Sequence, residues 1–245
     1  MAFLQAGRGD GPSWGDGRQA MLNVPPVVLW LIAALALTHA LRIFMPPSIG
    51  NAVLHLLAFV PQHVAQIHAL GWSAAAALAS FPAHMFVQLD ATGVAVECLL
   101  LLAFGSVVAR RFGTWRFLAI FACGGIAGAL LYIATAWNAP AGIVGAGGGV
   151  AAVMLTAIRA TWMRQSRPTT YPPELASPLS PQVLVTIVLW AGLSFIFPAP
   201  VVLPTGVGTA LIWQPSLAGI AVGLVLSELF DHLTPKIDLA GHQGP

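Results

Sequence analysis

The sequence predicts an all-α, polytopic membrane protein folded as a six-helix bundle, and three observations carry that expectation. Hydrophobic residues make up 58% of the chain and charged residues only 7%, with a mean hydropathy of +0.83, a balance that a soluble domain could not cover with polar surface. Apolar segments of about the length that a bilayer needs, roughly 20 residues, recur along the chain. Cations gather between alternate segments, as the positive-inside rule requires.

Taken in order, the expected spans run over residues 26–45, 89–108, 115–136, 142–162, 182–198 and 209–229. Arg8 and Arg18 precede the first, Arg110, Arg111 and Arg116 surround the turn from second to third, Arg159, Arg164 and Arg167 end or follow the fourth, and Lys236 follows the sixth. Only Arg42 lies at the opposite end. Both termini are therefore expected in the cytoplasm, and a bacterial inner membrane suits the charge bias.

The domain expectation is a flexible cytoplasmic N-terminal tail over 1–24, a membrane domain over 25–230 and a short cytoplasmic C-terminal tail over 231–245. Residues 1–24 are glycine-rich with no apolar core and do not read as a cleaved signal. Within the domain, 46–88 reads as an outer loop, too polar and proline-interrupted to cross, whose piece AVLHLLAFV is short enough to lie at the interface. Residues 163–181 read as a proline-rich cytoplasmic connector. No internal repeat is visible, which disfavours an inverted-repeat transporter.

Several classes of chemistry drop out. The net charge of +2 comes without a basic run, so no nucleic-acid partner is expected. Cys98 and Cys123 sit in apolar segments and read as small buried hydrophobes. His55, His63, His68 and His84 crowd the outer segment, but their spacing fits no metal signature, and no metal or cofactor is expected. Glu228 and Asp231, at the inner end of the sixth span, read as interface markers.

Two features ask for more than packing. The stretch GIVGAGGGV, Gly142 to Val150, spends helix propensity at roughly 1 kcal/mol per glycine relative to alanine. Gly145 with Gly149, Gly124 with Gly128 and Gly219 with Gly223 have the spacing of close seams between membrane helices. Glu97 is an acid roughly 12 Å inside the second span at 1.5 Å per residue, and an intramembrane acid is a functional candidate by default. Its bland reading is an acid that is protonated, or hydrogen-bonded by Ser216, the Trp213 indole or the fourth-span backbone, and that merely fills space.

The order of these features resembles that of rhomboid intramembrane serine proteases over roughly residues 24 to 230. NVPPVVLWLIAAL resembles their first span. HMFVQLDATGVAVECLLLLAFGSVVARRFG is similar to their second, Gly145-Ala146-Gly147-Gly148 to the Gly-x-Ser-Gly that opens their fourth, and WQPSLAGIAVG, Trp213 to Gly223, to their sixth. The resemblance implies a rhomboid-like bundle in which Gly147 stands at the serine nucleophile, Ser216 at the histidine base, and Gly93 and Glu97 at the second-span His and Asn that help hold the oxyanion. Glycine has no nucleophilic oxygen, and a carboxylate beside an oxyanion repels the charge that must develop there. A catalytically dead, pseudoprotease-like member is thus expected. Ser216 acting as a new nucleophile with Glu97 or His84 is conceivable, but no spacing requires it.

The expected role is binding of other membrane proteins or transmembrane helices within the lipid bilayer, as accessory or scaffold subunit or as client-helix binder. The alternative is a small transporter or proton-conducting protein using Glu97. Surfaces near spans two and five are expected to hold the partner, through Leu189, Trp190 and Leu193, with Phe195 and Phe197 as further aromatic knobs and Gly192 leaving a notch.

Overall fold

Proline opens helices α1 (Pro26–Phe44), α2 (Pro47–Leu57) and α3 (Pro61–Ala65), where its missing N–H removes no helical hydrogen bond. The computed structural model describes residues 24–65, 74–162, 170–196 and 199–238. Helix α4 (Ala74–Ala83) follows and tightens into a 3₁₀ turn at His84–Phe86. The second expected span comprises α5 (Ala91–Leu100), a π-helical turn at Leu101–Gly105 and α6 (Ser106–Phe112). Asp90 caps α5, its Oδ1 accepting from the Gly93 N–H at 2.7 Å, as an N-cap aspartate should. Gly113, with φ of 84°, makes the turn into α7 (Thr114–Thr135). Then come α8 (Gly147–Thr161), α9 (Pro181–Ile196) and α10 (Gln214–His232).

Helices α1, α5–α6 and α7 are long and apolar enough to cross a bilayer by length and composition. Helix α8 has 15 residues, roughly 22 Å at 1.5 Å per residue, less than the ~30 Å hydrocarbon core. It need not meet lipid, because twelve of those residues are buried, held between α7 and α10. Glycine permits this. A Cβ on Gly124 would lie 2.7 Å from both Ala152 Cβ and Gly148 O, and one on Gly223 would lie 2.6 Å from Ala152 O. Gly128, Gly149 and Gly219 likewise abut neighbouring helices. The expected seams are therefore present, with one correction. Gly145 precedes α8 in a turn with φ of 100° and faces Gln88 and Glu97, so it forms no seam with Gly149.

The fourth and sixth helices begin later than expected, at Gly147 and Gln214, because the residues before them are extended. Strand β1 (Thr170–Tyr171) pairs antiparallel with β4 (Ile237–Asp238), and β2 (Ala199–Leu203) pairs antiparallel with β3 (Gly206–Ala210). Gly142 and Val202 exchange backbone hydrogen bonds at 2.7 and 2.9 Å, and Phe59 and Ile143 do so at 3.0 and 2.9 Å. Four chain segments thus form a narrow strip that ties the outer segment to the α9–α10 connection.

The charges at the end of the bundle that carries the α6–α7 turn are structural. Arg159, 1% exposed, donates from Nε to Ala176 O at 3.0 Å and from Nη1 to Leu224 O at 3.1 Å and Ser227 Oγ at 2.6 Å, and its Nη2 pairs with Glu228. Asp231 is buried between Arg111 at 2.6 Å and Lys236 at 2.8 Å. Reading Glu228 and Asp231 as mere interface markers is corrected accordingly: they tie α10 to α8, to α6 and to the chain after α10.

Candidate functional site

The start of α8 needs donors satisfied, since no side chain of its own caps it. Glu97, on α5, reaches across: its Oε2 accepts from the Ala146 N–H at 3.1 Å and also from the Gln88 side-chain amide. Of the partners considered for this acid, the fourth-span backbone is the one it meets; Ser216 and Trp213 do not bond it among the described residues. The Trp213 ring instead stacks on Phe195 at 5.5 Å.

Around Glu97 lies a cavity of about 180 Å³ lined by His84, Gln88, Asp90, Gly93, Gly147 and Ser216 among others. Gly93, Glu97, Gly147 and Ser216, drawn from three helices, therefore share one space. The idea that Glu97 fills this volume is corrected: the cavity persists beside it and is large enough to hold water. A Cβ on Gly147 would come no nearer than 4.0 Å to Glu97 Oε1, and one on Gly93 would meet Asp90 Oδ1 at 3.6 Å, so neither glycine is demanded by crowding. By contrast a Cβ on Gly145 would lie 3.2 Å from Gln88 Oε1 and Glu97 Oε1, and its positive φ suits glycine.

One member of the site, Gln88, was not singled out from sequence, and in the chemistry of the site His84 was named only as a conceivable base for Ser216. Gln88 is 5% exposed and His84 is 2% exposed. His84 Nδ1 lies 3.2 Å from Ser80 O, and the ring packs on Phe59 with centroids 6.1 Å apart. Burial pushes the His84 imidazole down to about 4, so it is neutral at ordinary pH. The available signal was the N-cap Asp90, which marks Gln88 as lying just outside the second span. His55, His63 and His84 form no metal-holding group among the described residues, and His68 lies outside those residues.

A family profile described as Rhomboid domain matches residues 75–231, more than half of the chain. The chain belongs to the rhomboid family. The match covers α4 through most of α10 and leaves α1 to α3 outside it, whereas the motif resemblance extended to residue 24. Comparison with curated proteins gives no match. Within the rhomboid domain, the cavity sits where α5, α8 and α10 converge near their N-terminal ends.

The surface expected to hold a partner is divided. On α9 only Val183 is buried, while Leu189 and Leu193 are 61% and 45% exposed. Trp190 is corrected: it turns inward, packing with Ile187 against Leu155, Ala176, Val183 and Ile220. Phe195 is half exposed, a Cβ on Gly192 would meet nothing within 4 Å, and Phe197 lies outside the described residues.

Proposed function

We propose that this rhomboid-family protein is not a protease and that it binds transmembrane segments of other proteins, as accessory or scaffold subunit or as client-helix binder. The observation that carries the first half is the bond from the Ala146 N–H to Glu97. A rhomboid-type acyl transfer needs a nucleophile at the start of α8, a base facing it from α10, and donors free for the oxyanion. Here position 147 is glycine, position 216 is serine, and a carboxylate accepts from a backbone donor at that helix start. Gly93 and Glu97 then stand at the remaining ancestral positions. In a soluble serine protease, losing nucleophile or base alone costs on the order of a millionfold in turnover.

The second half is supported by α9. An edge helix with one buried residue and an outward stripe of Val185, Val188, Leu189, Leu193 and Ile196 can yield to a foreign helix, and packing supplies the association in lipid. Purified protein is expected neither to cleave model transmembrane substrates nor to react with fluorophosphonate probes. Specific labelling lost on Ser216→Ala would overturn the non-catalytic reading. Photocrosslinkers at Leu189 and Leu193 should capture the same protein in native membranes, and one at Ile32 should capture it less; the reverse ranking would move the interface away from α9.

A further inference from the structure

We propose that the cavity around Glu97 binds a cationic nitrogen group that only donates hydrogen bonds, a guanidinium or a primary ammonium. The argument is an inventory of what its walls offer. The Gln88 amide presents its nitrogen to Glu97, whose Oε2 also accepts from the Ala146 N–H. That leaves Gln88 Oε1 turned toward Gly93 and Gly145, 3.8 and 3.2 Å from where their Cβ atoms would be. Ser80 O only accepts, so His84 Nδ1 carries the proton toward it, and His84 Nε2 is left as an acceptor.

Among the described residues Gln88 bonds through its amide nitrogen and His84 through Nδ1, so Gln88 Oε1 and His84 Nε2 are left over on two residues that line the cavity and are more than nine-tenths buried. Glu97 Oε1 is free as well, because Oε2 takes both bonds. Asp90 adds a second carboxylate at the rim, and among the described residues no lysine or arginine lines the space. Three unfilled acceptors, two of them neutral and deeply buried, are a poor host for an anion and an incomplete one for an apolar group. A planar guanidinium or an ammonium has donors for all three and a charge opposite to Glu97.

Such a group can come from a small free amine or guanidine, or from an arginine or lysine near the outer end of a client segment; the second source rests on the client-binding reading. The full chain in mild detergent is titrated with butylguanidinium and butylammonium, with neutral butylurea as the isostere, following the unfolding midpoint. In nanodiscs, a single-span peptide with one outer arginine is compared with its citrulline counterpart. The cations are expected to give a saturable rise that butylurea does not, and Glu97→Gln should weaken binding by roughly tenfold to a hundredfold. Gly93→Leu, which fills the cavity and leaves every acceptor in place, should do the same and serves if Glu97→Gln fails to fold. Binding of the arginine peptide without binding of the free cations assigns the site to a client side chain. Equal response to butylurea and citrulline, or undiminished cation binding in both variants, overturns the proposal. Cation binding without any crosslinked partner on α9 would sink the client-binding reading and leave this one standing.

Discussion

Arg159 shows how far a single residue can depart from its sequence-level meaning. From charge counting it marks the inner end of the fourth span, yet in the fold it is buried and spends its donors on two carbonyls, a hydroxyl and Glu228. Glu228 is 51% exposed, so water can solvate that carboxylate if the pair is lost, whereas buried Ala176 O would lose the arginine donor that satisfies it, Leu224 O keeping the Ser227 hydroxyl. Arg159→Ala is therefore expected to cost roughly 3 kcal/mol, and Glu228→Gln no more than about 1 kcal/mol. Unfolding of both variants in one detergent tests this; equal losses would mean that the ion pair, not the carbonyl bonds, holds the arginine. Glu97 was legible as unusual because an acid in an apolar run stands out by composition alone. Its bond to Ala146 was not, since residues 49 positions apart meet only through the packing of α5 on α8.

At the scale of elements, helices were legible and extended segments were not. The glycine spacings on α7 and α10 announced close seams because a period of four returns to one helix face. The strip of Phe59, Gly142–Ile143, β2 and β3 carries no such signal: β2 and β3 have five residues each, too few for alternation to show, and GVGTA has poor strand propensity. That is why the fourth and sixth spans were expected to start earlier than they do. Gly145 was misassigned for the same reason, its turn being visible only once α8 begins at Gly147. The seams carry a graded expectation. Gly223→Ala pushes a methyl onto Ala152 O and should destabilise by about 1–3 kcal/mol. Gly192→Ala, on the open face of α9, meets nothing and should be neutral or stabilising by up to about 1 kcal/mol. Thermal unfolding of the two variants reads the difference, and similar behaviour would mean that α7, α8 and α10 are not the tightly packed centre.

At the scale of the whole molecule the described charges sort by end, and this sets an expectation for how the protein sits in the membrane. Arg110 and Arg111 end α6, Arg116 begins α7, Arg159 lies in the last turn of α8 and Lys236 follows α10. The Arg111–Asp231 pair and the 2.8 Å bond from Arg116 to Thr234 Oγ1 bring these termini into one cluster. Arg42 lies at the far end, donating to Leu89 O at 2.7 Å. Under the positive-inside rule the cluster is expected to face the cytoplasm, and the cavity, at the N-terminal ends of α5, α8 and α10, is expected to face the other side. In a background with Cys98 and Cys123 replaced by alanine, Asn51→Cys on α2 should react with an impermeant thiol reagent in intact cells. Ser177→Cys, exposed in the connector before α9, should react only after the membrane is opened. Labelling of Ser177→Cys from outside would invert the molecule, turn the Glu97 cavity toward the cytoplasm and remove extracellular or periplasmic cations as its source of ligand.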